Sequence, residues 1–386
     1  MQNKTPKFFV TILLAVSLLA ACAPATRPTQ PLTESSSQPS EQPPAAAPVE
    51  QAEPAAYTVT DSLGRQVSFA SPPQRIVIAG KAHIMIIDPL YAFAEASQRV
   101  VAFSKVGQGS GDFTRLIDTD YTAKTILETD ASTEQIAAAQ PDVVLLKSYL
   151  ADTVGKPLEE LNIPVIYLNF ETPEQYMQDI DTLGQLFQNP KRAEAIKTFY
   201  AGQASRISQR TADLNEDEKP RVLLVYYSER DGEVAFNIPP LDWIQTLLVE
   251  MGGGTPVWKD VEIGKGWTKV GLEQIAAWDA DQIYVTTYQS EIEQVVSTLK
   301  ADAKWQTLRA VKDGQLYAFP VDYYSWDQPD TRWVLGLTWL AAKMNPQLFA
   351  DLDMEQEVRD FYKTLYNLDD AAIDENILAR IKGDYP

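Results

Sequence analysis

The chain has 386 residues, 33 basic against 53 acidic side chains, one cysteine and one histidine. That length exceeds what one hydrophobic core spans, so two lobes are expected. A formal charge of −20 excludes a nucleic-acid binder working through a net basic face. One cysteine excludes a disulfide framework, and one histidine beside it excludes Cys/His zinc sites within the chain.

Lys4 and Lys7 precede an apolar run, Phe8–Ala21, of 14 residues, short of the roughly 20 that span a bilayer. A basic start, a short apolar core and small residues read as a secretory signal over residues 1–21. Leu19-Ala20-Ala21-Cys22 reads as a lipobox, with Cys22 the thiol that takes lipid after cleavage. Cleavage there would remove two lysines and no acids, giving −20 − 2 = −22. Two or three acyl chains would hold the protein stably at the bacterial cell membrane, on the extracytoplasmic side. Residues 22–56 carry eight of the 25 prolines and almost no large apolar residues, which predicts an extended linker.

The folded body is expected from Tyr57. Tyr57–Phe69 predicts a hairpin about Asp61–Gly64. Apolar runs at Arg75–Ala79, Val100–Phe103, Pro141–Leu146 and Val165–Leu168 predict buried strands. Helical patterns at Met85–Ala96, Thr133–Ala139, Leu158–Leu161 and Pro173–Phe187 alternate with them, and Gly107–Gly111 reads as a flexible loop. Asn189 and Pro190 read as the cap and first turn of one long helix to Leu214. A second set follows: strands at Arg221–Tyr227, Gln282–Thr286 and Leu316–Phe319, helices at Leu241–Met251, Gly336–Met344 and Met354–Tyr366. This predicts an α/β fold: two Rossmann-like lobes with largely parallel sheets joined by one backbone helix. The expected division is 57–188 for the first lobe, 189–215 for the joining helix and 216–386 for the second lobe. All eight tryptophans lie beyond residue 240.

One internal echo supports two equivalent lobes. Glu134-Gln-Ile-Ala-Ala-Ala-Gln-Pro-Asp142 and Glu273-Gln-Ile-Ala-Ala-Trp-Asp-Ala-Asp281 share six identities at an offset of 139, each ahead of an apolar strand. Enzyme motifs fail by a residue. A dinucleotide fingerprint from Gly107 needs glycine where Asp112 stands, and a nucleophile elbow about Ser110 needs glycine where Gln108 stands.

Several marks together resemble the substrate-binding lipoproteins of iron-complex and vitamin B12 type ABC importers, the class with a single helix between lobes. They are Val59-Thr-Asp61, Gly64-Arg65, Pro73 with Arg75-Ile-Val77, Glu134 with Pro141-Asp142, Pro164-Val165, and Glu273 with Asp281. Trp326-Asp-Gln-Pro-Asp330 and Gly336-Leu-Thr-Trp-Leu340 resemble the subgroup containing molybdate and tungstate binders. The resemblance implies a bilobal, monomeric, non-enzymatic clamp without a resident cofactor. It implies an ABC permease and ATPase as partners, and docking to the permease through Glu134 and Glu273.

Ligands of open α/β sheets sit off the carboxyl ends of the strands. Those loops offer Lys81 and His83, then Lys147, Ser148 and Tyr149, and from the second lobe Tyr227, Trp243, Trp267, Tyr324 and Trp326. A cationic and hydroxyl set facing an aromatic wall suits a metal chelate of the ferric-siderophore kind. The same donors suit a compact oxyanion such as molybdate or tungstate, and His83 could ligate a metal directly. A lipid-anchored α/β enzyme is the third reading.

Overall fold

The computed structural model describes residues 56–385. The signal segment, Cys22 and the linker up to residue 55 lie outside the described residues.

Strands β1 (Tyr57–Thr60) and β2 (Gln66–Phe69) form the expected antiparallel hairpin. Buried Asp61 organises its turn, accepting from the Leu63 and Arg65 backbone at 3.0 Å each and from Arg65 Nε at 2.9 Å. The next five strands are β3 (Ile76–Ile78), β4 (Val100–Ser104), β5 (Thr125–Leu127), β6 (Val143–Lys147) and β7 (Val165–Leu168). They form one wholly parallel sheet in the order β5-β4-β3-β6-β7. Every residue of β3, β6 and β7 is buried, which is why these segments read as unbroken apolar runs.

The helix Pro190–Thr211 follows, opened by the Asn189 side chain, which accepts from the Arg192 backbone at 3.0 Å. Its 22 residues span about 33 Å. The second sheet contains β8 (Arg221–Arg230), β9 (Glu233–Ile238), β10 (Thr255–Pro256), β11 (Thr268–Val270), β12 (Gln282–Thr286) and β13 (Leu316–Ala318). Its order is β11-β9-β8-β12-β13, with β10 beside the start of β8. The β8-β12-β13 part is parallel, whereas β9 and β11 run antiparallel. This half is therefore mixed: β8 outruns its predicted end, turns at Asp231-Gly232 and returns as β9, with both turn residues at positive φ.

The echo found in the sequence is a structural repeat. In the first half Arg75 precedes β3, and its guanidinium donates to the Ala139 and Gln140 carbonyls, both at 2.7 Å. Asp142 then accepts from the Arg75 backbone at 3.0 Å. In the second half Arg221 donates to the Trp278 carbonyl at 2.5 Å, and Asp281 accepts from the Arg221 backbone at 2.7 Å. Each arginine thus ties the end of the Glu-Gln-Ile helix to the start of its sheet.

Among the connections that fasten the halves to each other, two bear on the cleft. Arg332, before the helix Trp333–Met344, reaches Asp88 of the helix Ile84–Tyr91 at 2.6 Å, with both side chains fully buried. The second is the Gly107–Gly111 loop, which is not free as expected. The Gly109 and Ser110 amides donate to the Tyr288 and Tyr323 carbonyls, both at 2.9 Å, and Ser110 Oγ donates to the Asp322 carbonyl at 2.5 Å. Gly109 takes φ +77°, and a Cβ there would lie 2.1 Å from the Tyr323 carbonyl oxygen, so only glycine permits this approach.

Candidate ligand-binding cleft

The cleft lies off the carboxyl ends of the strands, where an α/β sheet leaves backbone and loop side chains accessible. After β3 the chain turns through Gly80 at φ +87° and Ala82 at φ +59°. Ala82 holds a left-handed conformation that costs a non-glycine residue about 1–2 kcal/mol. The turn delivers Lys81 and His83 to a cavity of about 310 Å³, bordered also by Gln108, Thr129 and Gln289. His83 is 3 % exposed, and its Nε2 has no hydrogen-bond partner among the described residues. Burial lowers its pKa to about 4, so the ring stays neutral at physiological pH.

A second cavity of about 310 Å³ adjoins the first and has aromatic walls. Trp243 meets Trp267 edge-on at 5.7 Å between centroids; Trp267 leans on Tyr226 at 5.0 Å, and Tyr226 stacks on Tyr288 at 4.6 Å. Tyr149 closes the opposite side, its hydroxyl donating to the Lys81 carbonyl at 3.1 Å. Gln108 borders both cavities and donates across the cleft to Gln328 Oε1 at 2.6 Å. This amide pair divides the cleft into a donor-lined half and an aromatic half.

Behind the aromatic wall runs a buried relay. Gln245 Nε2 donates to the Tyr288 hydroxyl at 3.4 Å, which donates to Asp327 Oδ2 at 2.7 Å. Asp327 Oδ1 also accepts from Thr286 and Ser325, at 2.6 and 2.5 Å. Burial raises the pKa of both Tyr288 and Asp327. A third hollow, about 580 Å³, lies along the Gly107–Gly111 loop, and its cations are engaged: Lys105 pairs with Glu128, and Arg115 stacks 4.4 Å over Tyr121.

Of the residues expected to line the cleft, Lys81, His83, Tyr149, Trp243 and Trp267 border these two cavities. Tyr324 and Trp326 do not: both are fully buried. Tyr324 packs 5.0 Å from the Arg332 guanidinium, and Trp326 Nε1 donates to Asp322 at 3.1 Å, which makes them core around a buried charge. Tyr227 also departs from expectation. Side chains alternate across a strand, so Tyr226 packs behind Trp267 and Tyr288 while Tyr227 meets Phe236 at 6.0 Å and donates to Glu229. Lys147 is 1 % exposed and spent internally, on the Asn169 carbonyl and on Glu171 at 2.6 Å. Ser148 donates to Asn169 Oδ1.

Sequence reasoning missed the lining residues Gln108, Gln245, Gln328 and Glu171, and the place of Tyr226 behind the aromatic wall. Glutamine carries no charge or pattern that marks a site, and β8 is buried on both faces from Val222 to Val225, so no alternation announces its parity. Glu134 and Glu273 are both exposed in the first turns of the helices Thr133–Ala138 and Leu272–Trp278.

Comparison with known proteins agrees with this architecture. The family described as Periplasmic binding protein matches residues 104–323. The molybdate-binding protein MolA of Haemophilus influenzae is 26 % identical over 269 residues, 62 % of this chain and 72 % of that protein. The Fe(3+)-citrate-binding protein YfmC of Bacillus subtilis is 23 % identical over 198 residues, 51 % of this chain and 59 % of that one. A periplasmic solute binding protein from Veillonella parvula superposes with a TM-score of 0.67 at 24 % identity, covering 84 % of this chain and 97 % of that chain. That last likeness speaks to the fold alone.

Proposed function

Because the chain belongs to the periplasmic binding protein family, the extracytoplasmic solute-binding components of ABC importers, we propose that its cleft captures a compact metal chelate and hands it to a permease driven by an ATPase. The observation that carries this is the divided cleft. Lys81, Thr129 and the Gln108 amide suit the anionic donor atoms of a chelator, while Trp243, Trp267 and Tyr288 suit its organic shell. Each half is near the lower end of the roughly 300–1,000 Å³ of small-molecule sites, which favours a chelate of modest size.

The test is thermal unfolding of the purified protein against ferric citrate, ferric hydroxamates, haem, cobalamin and molybdate. The right ligand stabilises by RT ln(1 + [L]/Kd), about 2.7 kcal/mol at a hundredfold excess over Kd. Elemental and mass analysis of copurified ligand provides the independent check. No response to any chelate, with a clear one to molybdate, transfers the assignment to an oxyanion binder. The 26 % identity with the molybdate-binding protein favours that second reading, with the ion in the donor-lined half.

Glu134 and Glu273, set at equivalent places in the repeat, serve in this reading as contacts to a two-fold permease. Charge reversal of both should abolish uptake and leave ligand affinity unchanged. Cys22 serves as the lipid anchor, and C22S should release the protein from membranes.

A further inference from the structure

The two halves of the cleft differ in what they ask of a ligand. In the aromatic half no cation is free among the lining residues: Lys147, the nearest buried one, is committed to Glu171 and the Asn169 carbonyl. Besides the Gln108–Gln328 amide pair, its polar groups include two acceptors. Gln245 is 3 % exposed and spends its amide N–H on Tyr288, which leaves Oε1 without a partner among the described residues. Glu171 borders the same cavity with its carboxylate about one-third exposed. Around these acceptors stand the π-faces of Trp243, Trp267 and Tyr288, which attract cations and repel anions. An oxyanion placed here would meet the Glu171 carboxylate, the Gln245 carbonyl oxygen and ring faces, with no cation among the lining residues to offset its charge.

Resting on the reading that the ligand is a metal chelate, we propose that the aromatic half is a subsite for a hydrogen-bond-donating, neutral-to-cationic part of that chelate, an ammonium group or an N–H-bearing ring. Gln245 Oε1 and Glu171 accept its protons, and Trp243 and Trp267 cover its apolar body. The anionic donor atoms around the metal lie in the other half, beside Lys81. The cleft thereby selects chelates with a positive or N–H-bearing end over uniformly anionic ones.

The experiment is calorimetric titration with two ferric trihydroxamates that share one metal cage. Ferrioxamine B carries a pendant ammonium, and its N-acetyl derivative carries a neutral amide. Ferric citrate and molybdate serve as anionic references. The ammonium form should bind at least tenfold more tightly than the acetylated one. That ratio should fall at least fivefold in E171Q and in W243L, the second of which changes a partly buried side chain and spares the Lys147 pair. Equal affinity for the two hydroxamates overturns the proposal, as does a ratio unchanged in both variants. If ferric citrate binds tightest, the chelate reading stands and the subsite falls; if no ferric chelate binds the wild-type protein, both fall.

Discussion

Arg332 and Asp88, 244 positions apart, meet at 2.6 Å where neither side chain has any exposed surface. The same guanidinium reaches Asp322 at 2.6 Å and Asp330 at 3.2 Å. Three acidic side chains thus surround one buried cation at the seam between the two sheets. Asp322 is the best served, accepting also from Trp326 Nε1 and from the Tyr362 hydroxyl. Replacing Arg332 by methionine removes the one positive charge among these acids and strips Asp88 and Asp322 of their guanidinium donor. R332M should lose about 3–5 kcal/mol in denaturant unfolding, the usual cost of breaking a buried ion pair from one side. A loss under about 1 kcal/mol would contradict this account of the seam.

The seam also makes stability depend on pH. Burial raises Asp88 from its ordinary 3.8 to about 7 and Asp330 to about 8, against the lowering effect of Arg332. The folded state then holds protons that the unfolded chain has released. The stability they confer is fully present below about pH 4 and is lost as pH rises through about 7 to 8. His83 works in the opposite sense: its folded value near 4 gives stability that is present above its ordinary 6.5 and lost as pH falls. Above pH 6.5 the His83 contribution is nearly complete and the acids dominate, so the unfolding temperature should decline. D88N should flatten that decline, which calorimetry at fixed ionic strength would show.

The second seam contact is steric. G109A would place a methyl group on the Tyr323 carbonyl in a left-handed backbone conformation. It should cost about 1–3 kcal/mol, the range for such strain, and expand the scattering profile as the loop leaves its docking site. Gly107, where a Cβ would meet nothing within 4 Å, should accept alanine with little change.

Fluorescence should respond through two side chains. Trp243 and Trp267 border the cleft, while Trp258, Trp278, Trp305, Trp326, Trp333 and Trp339 are at most 8 % exposed. The double variant W243F/W267F should abolish most of the emission change that ligand produces. A change retained in full would relocate the site.

Much of this fold is legible in the sequence because buried parallel strands and capped helices have strong local signatures. Pro173–Phe187, Val165–Leu168 and Met354–Tyr366 form over the predicted spans. Other elements need tertiary information. The predicted helix Met85–Ala96 stops at Tyr91 and resumes at Ala96, because Pro89 precedes a tight turn that buries Phe93 on Phe187 at 5.3 Å. Asp231-Gly232 carries the residues of a hairpin turn, yet the strand before it reads from its apolar run as ending at Tyr227. At the site, charged and aromatic residues announce themselves whether or not they face the cleft. Tyr324 and Trp326 have the chemistry of a binding wall, and only packing around Arg332 reveals that they are core.

The Arg75–Asp142 and Arg221–Asp281 ties sit at the starts of the strands, whereas the candidate cleft opens off their ends. Architecture and cargo are therefore written in separate parts of the chain. Substitutions along the cleft can accumulate without loosening either sheet, and a change of diet need not pass through an unfolded ancestor.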